Sequence, residues 1–476
     1  MYMNIRHGNP NKLPPGPGRL SFLADFILRP SIFREMPHEI FYRLYRRYGS
    51  IYIVELFMVK LVIIHGAELI REAFHNKHIR DRPSVRILRH VLHGEGVAFA
   101  SGDAWKVQRK TAITFMKDFG LNRTDFDDQI AVEADHLVAE MSKHEGRPFS
   151  PYVLMANAVS NVICKMIFGT RYDYSDPQFK QLLGAIYRNI QLIGGVTGAL
   201  QVMPGAHLFA WLLPPVRETG RNLQLIRDFT SKAVEDHMRD FDPDHPRDFI
   251  DVYLREMKSA VGNKSQANLK DMYATVSDLF IAGTEATSTT VRWGMLYMMA
   301  YPNIQTKVQQ EIDAIVGRNS YPRMSDRPKL PYTAATILEI MRLGNVVPLG
   351  APHRASQDTV IGGYHIPKGS IVFANIGAIG LDSTVWKEPD RFNPARFLDE
   401  SGKLAKREDD MIPFSTGHRI CIGEQMSKTE LFIFFTRLIH RFTFRKPDHS
   451  PPISFHGVAG ITLSPLPFDI CAIPRD

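Results

Sequence analysis

Residues 414–423 read FSTGHRICIG, and Cys421 within them is one of only three cysteines, with Cys164 and Cys471, in a chain of 476 residues. Gly417 and Gly423 flank it, and Arg419 precedes it by two positions. A helical pattern begins just beyond, with Leu431, Phe434, Phe435 and Leu438 at apolar spacing, so Cys421 is expected in a loop that enters a helix N-terminus. A helix N-terminus and a neighbouring arginine both favour thiolate over thiol. The glycines let backbone N–H groups approach the sulfur. A thiolate held still is a nucleophile or a metal ligand. His418 is the local base for the first role, with no further triad member beside it. A small buried hydrophobe is the remaining reading of a lone cysteine.

Composition excludes several classes. At 44% hydrophobic and 23% charged residues the chain is globular and large enough for a substantial core. Three scattered cysteines make neither a disulfide framework nor a paired C-x-x-C zinc site, and they suit a reducing compartment. The net charge of +8 suits an acidic protein or an anionic membrane. No nucleic-acid signature accompanies it, so no nucleic acid is expected as partner.

MYMNIRHGNPNK at the start is polar, with no apolar run able to span a bilayer and no secretory h-region. Residues 1–12 are therefore expected to be a polar stub lacking a membrane anchor. LPPGPG (13–18) is stiff and forms no helix. A helix is expected from Phe33 to Tyr48, stopped by Gly49, and two strands in SIYIVELFMVKLVIIHG (50–66). Helical patterns dominate from about 67 to 330. GALQVMPGAHLFAWLLPPVRE (198–218) is expected as a greasy surface loop between helices, either core or a membrane- or substrate-contacting patch. The segment 357–375, containing TVIGGYHIPKGSIVFAN, is expected as short strands.

Phe414, Gly417, Arg419, Cys421 and Gly423 fill every position of F-x-x-G-x-R-x-C-x-G, and the chain thereby resembles the cytochrome P450 family. The resemblance implies that Cys421 is the axial thiolate on the iron of haem b, iron protoporphyrin IX. It places Arg419 against a propionate and Phe414 near the sulfur. In YTAATILEIMRLGNVVP, Glu339 and Arg342 match the family's E-x-x-R, three apart on one helix face. Arg391 in WKEPDRFNPARF is expected as the third member of that structural network. Trp105 and Arg109 fit W-x-x-x-R, contacting the other propionate. His353 or Arg354, after Pro352, is expected to meet a propionate as well. NVICKMIFGTRYDY, SPLPFDICAIPR and LPPGP resemble the microsomal branch, and Cys164 and Cys471 there are read as packing residues.

One position departs from the family. DLFIAGTEATSTTVRWGMLYMMAYP (278–302) is a long apolar segment ended by Pro302, with Gly283 inside it. A mid-helix glycine costs about 1 kcal/mol against alanine. Close approach of a flat cofactor is one reason for it and tight helix packing another. The family pattern A-G-x-[DE]-T reads here Ala282, Gly283, Thr284, Glu285, Ala286, with alanine for threonine. Thr287 follows, about 100° round the helix. The family's hydroxyl helps deliver the protons that dioxygen cleavage consumes. Three readings follow: a monooxygenase relayed by Glu285, Thr287 and a water; an enzyme that rearranges lipid hydroperoxides without dioxygen or NADPH; or a haem-binding sensor.

The expected fold is mainly α with small β-sheets, a cytochrome P450 fold, in one catalytic domain over 13–476. The expected function is insertion of one oxygen atom into a lipophilic steroid, fatty acid or xenobiotic. The implied partners are an NADPH-cytochrome P450 reductase-like flavoprotein and cytochrome b5, with docking through Lys106, Arg109, Lys110, His418 and Arg419. The implied setting is the cytoplasmic face of the endoplasmic reticulum membrane. By resemblance, substrate should touch Phe280, Ala282, Gly283, Ala286 and Thr287, then Val347, Leu349 and Gly350, and finally Val458 and Ala459.

Overall fold

β-Branched and aromatic residues form an antiparallel pair, β1 (Ile51–Leu56) and β2 (Val59–Ile64), with Ile51 opposite Ile64. The computed structural model describes residues 9, 11–18, 36–56, 59–84, 96–119, 124–201, 203, 205–259 and 269–475. The polar start and Phe33 lie outside the described residues. The helix expected from Phe33 is described as α1 (Pro37–Tyr48), and Gly49 ends it with φ +93°. LPPGPG runs without helix along β1, where the Ile53 N–H donates to the Pro15 carbonyl at 2.8 Å.

The helices that follow are α2 (Ala67–His75), α3 (Gly102–Phe119), α4 (Thr124–Ser142), α5 (Tyr152–Phe168) and α6 (Pro177–Gly194). The segment expected as a greasy loop holds two short helices instead, α7 (Val196–Gln201) and α8 (Ala206–Phe209), before α9 (Pro214–Asp240). Leu200, Ala206, Ala210 and Val216 form a small core of their own, which is what orders the segment. Next come α10 (Phe249–Ser259), α11 (Leu269–Ala300), α12 (Pro302–Val316) and α13 (Pro331–Gly344).

β3 (His353–Arg354), β4 (Thr359–Ile361), β5 (Tyr364–Ile366) and β6 (Ile371–Ala374) follow, as the glycine-punctuated pattern predicts. β6 joins the first pair in the order β1-β2-β6-β3, parallel to β2 and antiparallel to β3. After α14 (Ile376–Gly380) and a long irregular stretch comes α15 (Glu424–Arg441). The C-terminal pairs are β7 (Phe442–Arg445) with β10 (Cys471–Pro474), and β8 (Gly457–Val458) with β9 (Ser464–Pro465). Cys164 is fully buried in the main core. α11 is buried on nearly every side from Thr284 to Met299. α11 runs between α5 and α15 and buries polar residues such as Glu285, Thr289 and Arg292 as well as apolar ones.

The stretch before α15 is anchored by a buried ionic network. Arg342 reaches Glu339 with two hydrogen bonds, Nε to Oε2 at 2.7 Å and Nη2 to Oε1 at 2.8 Å. The third member is Arg396, not Arg391. Arg396 Nε lies 3.0 Å from Glu339 Oε1, and its side chain is buried. The Arg391 side chain is exposed beside Glu388, and only its carbonyl joins the network, accepting from Arg342 and Arg396. The Trp386 ring lies against Arg342, Arg396 and Arg407. Removing one partner of a buried ion pair costs about 3–5 kcal/mol. Glu339→Ala and Arg396→Ala should each abolish most folded protein, whereas Arg391→Ala should shift stability by no more than about 0.5 kcal/mol. Thermal melts of the three variants check this order.

Candidate functional site

The Cys421 loop is shaped by backbone contacts. A Cβ on Gly417 would sit 2.2 Å from the Phe74 carbonyl oxygen, and Gly417 has φ +75°, so only glycine fits where the loop meets α2. The Cys421 N–H donates to the Phe414 carbonyl at 3.0 Å and closes the turn. Gly423 is the N-cap of α15, and its N–H faces the Cys421 sulfur. Cys421 is exposed although protein packs densely behind it. Burial pushes the thiol up, and Glu424 adds to this; the Gly423 N–H and Arg109 oppose it.

Three arginines converge beside the cysteine with carbonyls as their hydrogen-bond partners. Arg419 is buried and donates to the carbonyls of Arg80 (2.9 Å), Val97 (3.3 Å) and Ala100. Arg109 donates to the Ile420 carbonyl at 2.7 Å. Trp105 stacks under both, 4.1 Å from the Arg419 guanidinium carbon and 5.9 Å from that of Arg109. Arg82 donates to the carbonyls of Ala98, Ala351 and Pro352. Burial and mutual repulsion lower Arg82 to about 10 and Arg419 to about 9. Among the described residues no carboxylate hydrogen-bonds any of the three. Asp81 is the one carboxylate that acts on Arg419 among the described residues, and a cluster of this sign suits an anionic group.

The strand beside it sets His353 and Arg354 on opposite sides. Successive residues of a strand face opposite ways. His353 turns inward, stacked on Phe74 at 3.9 Å with Nδ1 2.7 Å from the Ile79 carbonyl. Burial, then Arg82, holds its pKa well below the usual value, so it is neutral. Arg354 turns outward toward Asp81 at 3.8 Å.

α11 crosses the loop. Leu279 and Ile422 pack on the same cluster of Val97, Ala100 and Trp105. Further along, Thr287 Oγ1 lies 3.1 Å from Ser427 Oγ. Between these contacts Ala282 and Ala286, four apart, are accessible where their neighbours at 284, 285 and 287–289 are buried. They form the open stripe of the helix. Gly283 has a different reason: a Cβ there would meet Ile163 Cδ1 of α5 at 2.6 Å, so the glycine serves helix packing and not a cofactor.

Two expected contacts fall elsewhere. Phe280 is fully buried against Phe168 and Phe229 at 5.6 and 5.7 Å and presents no surface to a ligand. The Glu285 carboxylate accepts from Thr289 (2.8 Å), Thr462 and Ser464 (3.3 Å each) and faces Arg292 at 3.6 Å. Burial raises its pKa against the pull of Arg292. It is tied to the C-terminal turn, away from the Ala286 stripe. Val347, Leu349, Gly350, Val458 and Ala459 are all partly or fully exposed. The Leu463 N–H bonded to the Val346 carbonyl at 2.8 Å ties their two segments together.

Sequence reasoning missed two groups. Arg82 stands before Pro83 with no spacing that links it to Cys421. Asp278 shares the Ala282–Ala286 face and accepts from the Ala98 N–H at 2.8 Å; burial pushes it up to about 7.

The cytochrome P450 family profile matches residues 14–472, and the chain belongs to that family. It is 39% identical to cytochrome P450 2J2 of Homo sapiens over 99% of this chain and 93% of that protein. It is 38% identical to cytochrome P450 2J5 of Mus musculus over the same shares. Over 98% of this chain and 94% of that protein it is 38% identical to cytochrome P450 2B12 of Rattus norvegicus. The protein is thus a haem-thiolate monooxygenase that uses haem b, acts on lipophilic small molecules and takes electrons from a redox partner.

If the arginine cluster receives the propionates, Arg82→Ala and Arg419→Ala should each lower haem retained per chain. Haem with esterified propionates should bind the unaltered protein more weakly than haem does, and the gap should narrow in either variant. Haem titration followed by absorbance measures both.

Proposed function

We propose that Cys421 is the axial ligand of a monooxygenase whose haem lies between the Cys421 loop and the Ala282–Ala286 stripe, within one catalytic domain over 13–476. The observation that carries this is the accessible Cys421 thiol beside three guanidiniums whose hydrogen bonds, among the described residues, go to backbone carbonyls. Bound there, haem supplies activation of dioxygen and transfer of one oxygen atom to substrate. Arg82, Arg109 and Arg419 hold the propionates, with His353 as a neutral neighbour. The Gly423 N–H and the N-terminus of α15 steady the sulfur. The methyls of Ala282 and Ala286 leave room above the haem. Val347, Leu349, Val458 and Ala459 give an apolar rim, which selects lipophilic substrates of the steroid, fatty-acid or xenobiotic class.

Electrons come from an NADPH-dependent flavoprotein reductase, with cytochrome b5 as a second donor. The basic surface fits an acidic partner through Lys106, Lys110 and His418, which are exposed, and Arg109, which is half-exposed. Arg419 is buried and takes no part in docking. The purified protein should form product with reductase and NADPH and little from a lipid hydroperoxide alone. The reverse result would identify a hydroperoxide-rearranging enzyme.

The setting we propose is the cytoplasmic face of the endoplasmic reticulum membrane. No helix among the described residues is long and apolar enough to cross a bilayer. Leu208, Phe209, Trp211 and Leu212 are 71%, 45%, 62% and 53% exposed, with Met203 beside them, an apolar patch suited to a lipid surface. Leu208→Ser with Trp211→Ser should weaken binding to anionic vesicles, read by sedimentation, by about a hundredfold or more, as expected from about 1.5–3 kcal/mol for each of two buried apolar side chains. Activity on a detergent-dispersed substrate should stay unchanged.

A further inference from the structure

The turn between β8 and β9 carries the rim residues Val458 and Ala459. Its tip is exposed at Ala459 and Ile461, whereas Thr462 and Ser464 are buried. Both buried hydroxyls donate to one oxygen, Glu285 Oε1, at 3.3 Å each. Val458 pairs with Ser464 across the hairpin, so the Ser464 hydroxyl that meets Glu285 belongs to the residue opposite a rim residue. A Cβ on Gly457 would lie 2.9 Å from the Ser464 carbonyl oxygen, so the hairpin is tight and moves as one piece. Three further bonds hold the backbone of the turn. The Leu463 N–H donates to the Val346 carbonyl at 2.8 Å, and the Ile461 N–H to the Ile190 carbonyl of α6 at 3.0 Å. The Leu463 carbonyl accepts from Trp293 Nε1 of α11 at 2.9 Å. Of these five bonds, only the two to Glu285 use side chains of the turn. Glu285 stands one residue before Ala286, about 100° round α11. The turn therefore docks on the face of α11 next to the accessible Ala282–Ala286 stripe.

We infer that Thr462 and Ser464 set the largest ligand this enzyme accepts, because their hydroxyls hold the Val458–Ala459 rim against α11 through Glu285. The inference rests on the proposed function, which places that rim beside the substrate. Hydrogen bonds to a carboxylate are strong and directional, so they fix the distance of the turn from the helix where apolar contact would let it slide. Thr462 and Ser464 are positioning residues that act through Val458 and Ala459. Glu285 thereby serves as the anchor of a specificity turn and not as a proton relay. Without the two hydroxyls, Glu285 keeps Thr289 at 2.8 Å and Arg292 at 3.6 Å, so the carboxylate is not left alone in the core. The three bonds to the backbone of the turn also remain. The turn then retreats from α11 without unfolding. The room beside the stripe grows, and bulky ligands gain over small ones.

N-benzylimidazole and N-tritylimidazole both bind haem iron through the free ring nitrogen and differ in bulk. Titrated into the purified holoprotein and followed by haem absorbance, the ratio of their dissociation constants measures the room at the rim. In Thr462→Val with Ser464→Ala, the ratio should shift in favour of N-tritylimidazole by about tenfold or more, the low end of the ~10–200-fold with which an apolar pocket discriminates one methylene. Haem per chain should match that of the unaltered protein. Thr462→Val alone, nearly unchanged in shape, should shift the ratio the same way by less. Thr462→Ser, which keeps the hydroxyl, should leave it where it was. A packing role for Thr462 gives the reverse order, with valine tolerated and serine not. An unchanged ratio in the double variant, or a shift in Thr462→Ser as large as in Thr462→Val, overturns the inference. Loss of haem from both the double variant and Thr462→Val also overturns it, because the hydroxyls would then hold the fold and not the selectivity. If N-benzylimidazole leaves the haem absorbance of the unaltered holoprotein unchanged, the proposed haem site fails instead, and this inference with it.

Discussion

A deficit of negative charge beside Cys421 governs the site. Arg82, Arg109 and Arg419 lie close enough to repel one another, and their hydrogen bonds go to backbone carbonyls. Carbonyl dipoles hold guanidiniums in place but do not neutralise them. In the function proposed above, the two propionates of haem would supply the missing negative charge. The same geometry explains why Trp105 lies beneath two of the cations, where its ring face offers partial compensation. The buried Glu339–Arg342–Arg396 network differs in having a carboxylate at its centre, which both arginines share, and it fixes the irregular chain that delivers the cysteine loop.

α11 carries three demands at once. Its Ala282–Ala286 stripe leaves space, its Gly283 admits α5, and its Glu285 ties the helix to the C-terminal turn. Glu285 therefore cannot also serve the stripe. Thr287 points to α15, where its hydroxyl meets Ser427.

What was legible in the sequence was local. The Cys421 loop, the E-x-x-R pair and the W-x-x-x-R pair each lie within a few residues, so the resemblance to the family could be read on them. The mainly helical fold, the strand pair at 51–64 and the short strands of 357–375 follow from periodicity and glycine turns. Groups assembled by the tertiary fold were not legible. Arg82 reaches the site across 339 positions from Cys421, and Ser427 meets Thr287 only because two helices cross. Arg391 and Arg396 lie in an irregular segment where no period tells which faces inward. The short helices at 196–209 escaped notice because their prolines and glycines read as loop.

The central claim is that Cys421 binds haem iron as a thiolate. The ferrous carbonyl spectrum of the purified protein tests it most directly. The account predicts the red-shifted band of thiolate ligation, lost in Cys421→Ser even where haem is retained. A Cys421→Ser protein that keeps the red-shifted band would contradict it.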